Sequence, residues 1–208
     1  MWPILEKHVT SDQLRSAAVT IRTSFGPLLV FGSVLPWRSD GAYAPLNGTE
    51  AFLRALDSQA KDWKKLRQKN RNCEFCLAGD FNQELSGSIF VGSKVGQSAL
   101  ENALKQADLE CQTSGSDDPV FQLTTQITSS IDHVCLSKEL ASRVKRKPEA
   151  WPKADKPDKN LSDHFCVYID ILDNVAVNKY RTYPLFVTKN AVQITQITDR
   201  RFFVTLFL

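Results

Sequence analysis

Apolar and polar residues follow two rhythms along this chain, and together these predict strands interleaved with helices. "AAVTIRTS" and "GPLLVFGSVLPW" are β-branched and apolar around a Gly-Pro turn, which predicts two adjacent strands, the second ending near Pro36-Trp37. A loop rich in Gly, Ala, Pro and Asn follows. From Thr49 to about Gln68, Phe52, Leu53, Leu56, Ala60, Trp63 and Leu66 recur at helical steps, so one helix should turn that stripe to a core and its basic face to solvent. "CEFCLAGD" reads as a short buried strand running into a turn. Ala99, Leu100, Ala103, Leu104 and Ala107 mark a second helix starting between Ser93 and Gln97. After a polar stretch from Gln112 to Asp118, "SSIDHVCLS" predicts a strand with Ile131, Val134 and Leu136 as its apolar members. The segment from Lys145 through "KADKPDKN" reads as loop. In "LSDHFCVYIDIL", Phe165, Val167 and Ile169 fall on one strand face, with Cys166 and Tyr168 on the other. Residues 174–208 are β-prone and end in "RFFVTLFL", a terminus that must be buried or paired to stay out of aggregates.

A length of 208 residues suits one domain with a sizeable core, and 42% hydrophobic with 24% charged residues is an ordinary folded composition. A net charge of +3 leaves the partner open. The longest apolar runs are too short for a membrane span. Five cysteines, an odd number, with no leader-like segment in front, predict a reducing, cytoplasmic setting. Cys73-Glu-Phe-Cys76 lacks a second Cys or His pair for zinc, and its odd spacing sends the two thiols to opposite strand faces. Trp37 and Trp63 are expected in the core, and Lys61, Lys64, Lys65 and Arg67 on a solvated surface.

Chemistry concentrates at three predicted strand ends: Gly79-Asp80-Phe81-Asn82, Ile131-Asp132-His133 and Ser162-Asp163-His164. Hydrolysis of a phosphoester calls for a divalent cation, a base or activated water, and a donor for the non-bridging oxygens; carboxylates, an amide and an imidazole can supply these parts. Each motif alone has a plainer reading. Asp80 and Asn82 could form an Asx turn, and Asp163-His164 a loop pair. His133 is expected to be a packing or surface residue, turned away from Asp132 by strand alternation.

In this order, the three motifs resemble those of the endonuclease/exonuclease/phosphatase superfamily. "GSVLPW", "DWKKL", "CLAGDFNQEL", "ALENAL", "SIDHVCLS" and "LSDHFCVYID" are similar to a largely bacterial branch of it, over about Trp2 to Leu172. The resemblance implies an α/β four-layer α-β-β-α sandwich with two mixed sheets. It also implies a phosphoesterase, nuclease or phosphatase, that uses Mg2+ or Mn2+ on phosphodiesters or phosphomonoesters, DNA or RNA among them. By the same resemblance Asp80 orients or deprotonates the attacking water, and Asn82 binds the phosphate. His164 faces the scissile phosphate, Asp132 fixes its tautomer, and Asp163 lies toward the metal or its waters, with Asp80 also near the metal.

The chain departs from the family pattern in two places. The family's metal site also uses an Asn and a Glu upstream of a segment that Trp2-Pro3-Ile4 resembles, so the first strands are expected to be missing, with Glu6 the only local substitute. Val34 stands where many relatives carry a His or Tyr. These departures keep a second reading open: an inactive remnant that binds phosphate or nucleic acid without turnover. Residues 1–173 are then a partial domain. Residues 174–208 are a β-prone tail of unknown origin whose part from about Tyr183 is expected to fold back over exposed sheet surface.

Overall fold

The computed structural model describes residues 2–37, 47–125, 128–144, 146–154, 156–157 and 163–171 in full, and the backbone of 172–173, 181–188, 191–198 and 200–207. The loop expected after Trp37, half of the "KADKPDKN" loop and the side chains of the apolar terminus lie outside the described residues.

In chain order the elements are β1 (Ile4–His8), β2 (Ser16–Thr23), β3 (Gly26–Val34), α1 (Gly48–Lys69), β4 (Glu74–Asp80), α2 (Lys94–Gln106) and β5 (Leu109–Cys111). There follow α3 (Pro119–Leu123), β6 (Asp132–Ser137), α4 (Lys138–Ala141), β7 (Glu149–Trp151), β8 (Cys166–Asp173), β9 (Arg181–Thr188), β10 (Ala191–Thr198) and β11 (Arg200–Phe207). They form two sheets, in the orders β1-β2-β3-β4-β6-β5 and β11-β10-β9-β8-β7. The first sheet is mixed, with β3 and β4 parallel and its other neighbours antiparallel; the second is antiparallel throughout. This is the α/β two-sheet sandwich that the resemblance implies, except that the second sheet is antiparallel rather than mixed. Among the described residues, no helix is long and apolar enough to cross a membrane.

The alternation of β3, β4 and β6 divides their side chains between two cores. Leu29, Phe31, Phe75, Leu77 and Cys135 face the stripe of α1 and α2, where Trp63, Leu66, Leu100 and Leu104 meet them. Val30, Cys76, Ala78, Val134 and Leu136 face Val167, Ile169 and Ile171 of β8, which closes the space between the sheets. Cys73 and Cys76 accordingly fall in different cores. Full burial of a large apolar side chain is worth about 1.5–3 kcal/mol, so each core is a substantial source of stability. α1 begins where the sequence predicts, because Asn47 and Glu50 form a reciprocal capping box: Asn47 Oδ1 accepts the Glu50 N–H at 3.0 Å, and Glu50 Oε2 the Asn47 N–H at 3.1 Å.

Three strands go beyond the sequence expectation. β1 and β5 are the edges of the first sheet, where half-exposed polar residues mask the alternation, and β7 interrupts the expected loop by pairing with β8. Trp37 is 55% exposed and is not a core residue, whereas Trp63 is fully buried. The backbone of β9 to β11 continues the second sheet from β8, with β9 and β10 passing close to β4.

Candidate active site

The site begins with the register of three neighbouring strands. Val34 is level with Asp80, and Asp80 is level with Asp132, so one cross-strand row holds Val34, Asp80 and Asp132. Gly79 permits this pairing. Its φ of +154° suits glycine, and a Cβ there would lie 1.8 Å from the Ser33 carbonyl oxygen, so no side chain fits between β3 and β4. Just past the row, Leu35 N–H donates to the Asp80 carbonyl at 2.9 Å and Phe81 N–H to that of Ile131 at 2.8 Å. Phe81 anchors the turn, stacking on Trp63 at 6.3 Å between ring centroids and lying 5.5 Å from His133. Asn82 takes a left-handed φ of 48°, its N–H bonds Asp80 Oδ1 at 3.0 Å, and its Nδ2 donates to the Leu35 carbonyl at 2.9 Å. The Asx turn is therefore present, and it aims Asp80 as well as ending the strand.

Asp80 and Asp132 are 6% and 2% exposed and face each other across the two strands. Like charges opposite one another repel, and burial sharpens the cost. Burial first, then the Asp132 carboxylate, pushes the Asp80 carboxyl up to about 7, against the pull of His164 and of hydrogen bonds from Asn82. His164, from the chain entering β8, donates its Nδ1–H to Asp132 Oδ2 at 2.8 Å. Burial alone would lower its proton affinity. The bond to Asp132, with the charges of Asp132, Asp80 and Asp163, outweighs burial and raises it. One ligand atom each from Asp80, Asp132 and His164 lies within 4.8 Å of the others, a spacing that could hold a metal ion. Two carboxylates make this a hard-donor set suited to a cation such as magnesium or manganese. Asp132, Asp163 and His164 line a cavity of about 220 Å³ whose apolar wall includes Phe90, Ile131 and Phe165.

Of the five residues predicted from the sequence, Asp80, Asp132 and His164 converge, and Asp163 shares the cavity with the last two. Asn82 touches Asp80 but opens on its other side toward a second cavity, of about 230 Å³, beside the starts of α1 and α2. Glu6 is elsewhere: on the edge strand β1 it pairs with Lys69 at 3.2 Å, so it does not replace a ligand here. His133 is fully buried on the opposite face of β6, its Nε2–H donating to the Gln83 carbonyl at 2.9 Å. Lys61 is 74% exposed and bonded to Asp57, as expected of a solvated face.

Two supporting acids were not foreseen. Glu84 is 1% exposed and receives the backbone N–H groups of Phe90, Val91 (2.9 Å) and Ser129 (3.2 Å). Asp118, fully buried, caps α3 through the N–H groups of Val120 and Phe121 at 3.0 Å and also receives that of Ser130. Together they fix the two loops that frame the cavity. A sequence signal existed for Asp118 alone, as an Asp immediately before Pro119 at a helix start.

No family model matches the chain, and no curated protein matches it. Solved structures do. The structural neighbours are endonuclease/exonuclease/phosphatase-fold proteins. The endonuclease domain of TRAS1, a telomere-specific non-LTR retrotransposon, is similar at 16% identity and a TM-score of 0.46, covering 82% of this chain and 67% of its own. The AP endonuclease LMAP of Leishmania major is 12% identical with a TM-score of 0.49, covering 73% and 52%. A beta toxin of Staphylococcus aureus, solved with bound magnesium ions, is 15% identical with a TM-score of 0.44, covering 88% and 61%. The chain thus spans between about half and two thirds of these proteins. The likeness is one of fold, and the chemistry of the site is read from its own side chains.

Proposed function

We propose that this chain is a divalent-metal-dependent phosphoester hydrolase with Asp80, Asn82, Asp132, Asp163 and His164 as its working residues. The observation that supports it best is the convergence of two buried, mutually repelling carboxylates and an imidazole, of which Asp132 and His164 line one cavity. A protein would hardly hold such a pair for stability, because a buried acid costs free energy unless something offsets its charge.

Asp80 and Asp163 would hold magnesium or manganese, and the bound cation would supply positive charge against the phosphate oxygens. Asp80, aimed by the Asn82 N–H, takes the proton of the attacking water. His164 faces the scissile phosphate, and its preference for the charged form offsets the negative charge that grows there. Asp132 accepts the Nδ1–H of His164, which fixes the ring and leaves Nε2 at the end away from Asp132. Asn82 keeps Asp80 in place through its N–H, and by the family resemblance it also binds the phosphate.

Metal-dependent release of nitrophenol from bis-nitrophenyl phosphate tests this reading, with Asp80→Ala and His164→Ala as controls. Turnover by the unchanged chain that both substitutions abolish is expected; background rates for the unchanged chain overturn it. Salt-sensitive binding and cleavage of DNA or RNA then sort the substrates. A remnant that binds without turnover is the rival, favoured by Val34, an apolar residue in the row of Asp80, and by Glu6 lying outside the site. Retained phosphate binding with no turnover would support it.

A further inference from the structure

On the helix-facing side of β6, the face opposite Asp132, lies a second cluster that the proposed chemistry does not use. Cys111 of β5 and Cys135 of β6 are register partners. The next pair along is the hydrogen-bonded one, since Gln112 N–H donates to the Val134 carbonyl at 2.8 Å. Cys111 and Cys135 therefore occupy a non-hydrogen-bonded position, where antiparallel Cα atoms approach to about 4.5 Å, inside the range that a disulfide spans. Both thiols are free and packed in the same helix-facing core. The two are not equivalent. Cys135 is fully buried, whereas Cys111 is half-buried and lines a cavity of about 310 Å³ with Lys105 and Ser114. Cys111 Sγ also lies 3.7 Å from His133 Nδ1, which has Thr113 Oγ1 at 3.1 Å.

We propose that Cys111 and Cys135 are an oxidisable dithiol, Cys111 the attacking and Cys135 the resolving thiol, that peroxide closes to a reversible disulfide. The Cys111 sulfur attacks one peroxide oxygen. A sulfur–oxygen bond forms, the oxygen–oxygen bond breaks, and the departing hydroxide takes the thiol proton to leave as water. Cys135 then attacks the sulfenic sulfur of Cys111, the sulfur–sulfur bond forms, and the hydroxyl departs as a second water with the Cys135 proton. Two electrons pass from the pair to the peroxide. The asymmetry of the pair suits these roles. Contact with Cys135, and further the His133 imidazole, hold the Cys111 thiol well below its usual range against the effect of burial, while burial pushes Cys135 up. Closure needs no strand movement and would staple the three-residue edge strand β5 to its neighbour.

The test uses the reduced full chain and hydrogen peroxide. Trypsin leaves both cysteines in one peptide, residues 106–138, so the expected product is that peptide short of two hydrogens, restored by dithiothreitol; a chymotryptic cut after Phe121 then leaves its halves joined. The Cys135→Ser and Cys135→Ala variants should instead accumulate a sulfenic acid at Cys111 that dimedone traps, at about ten times the rate seen at Cys166. The oxidised chain should melt higher, by about 5–10 °C. Oxidation confined to Cys166 or Cys73, or no dimedone adduct at Cys111 in either variant, overturns the assignment. Neither result bears on phosphoester hydrolysis.

Discussion

Glu84 and Asp118 are as deeply buried as Asp80 and Asp132, yet the two pairs live in opposite surroundings. The first two carboxylates each collect three backbone N–H groups, which satisfy their oxygens and tie loops together. The other two look at each other, with an imidazole on one and a single turn N–H on the other. Burial alone therefore does not tell the two pairs apart; what the oxygens face does.

The sharpest way to break this contrast is to remove one acid of each kind. Asp80→Ala should lower metal-dependent hydrolysis about a thousandfold or more, while the metal-free protein at alkaline pH melts no lower than the parent. Asp118→Ala should cost about 3 kcal/mol or more in urea unfolding, since three buried donors lose their acceptor. Equal losses of stability from both would erase the distinction. Gly79→Ala tests the scaffold beneath it. A Cβ 1.8 Å from a backbone oxygen must part β3 from β4, at a cost of about 3 kcal/mol or more, and displace Asp80, so soluble yield and activity should fall together.

A subtler effect comes from pH. Folding raises the Asp80 carboxyl from 3.8 to about 7, so its contribution to stability is full below the unfolded value and is lost as pH rises through the folded one. Without metal, Asp80→Asn should gain in melting temperature relative to the parent between about pH 4 and pH 7, and a constant difference would contradict the raised carboxyl. Manganese binding should strengthen over the same window, because the cation displaces that proton. Smallest of all, Lys61→Ala on the solvated face of α1 should change stability by less than about 0.5 kcal/mol and leave hydrolysis unaltered, as calorimetry and the nitrophenyl assay would register.

Much of the molecule could be read in the sequence where the signal is local. The stripe of α1 and the apolar runs of β3, β4 and β6 announce themselves because each buries a continuous face. Asp80, Asp132 and His164 were legible because each follows or opens such a run. Edge strands were not: Glu6, Lys7 and His8 of β1 look polar because most of that strand faces solvent. Trp37 misled because an aromatic next to a buried strand end usually packs inward, and here β3 ends at Val34, three residues before it. Glu84 and the Cys111–Cys135 pairing depend on partners tens of residues away, which no spacing rule reveals.

The parallel pairing of β3 with β4 bears on how quickly the chain can find its native state. Antiparallel neighbours zip outward from a tight turn, but parallel ones need the intervening chain to double back, and α1 makes that return. Closing so long a loop is slow unless the return path is already rigid. The Asn47–Glu50 box, which starts α1, thus lies on the critical route of assembly. Stopped-flow refolding of Asn47→Ala should slow by most of the roughly 1 kcal/mol that the substitution removes at equilibrium, with the unfolding limb almost unchanged.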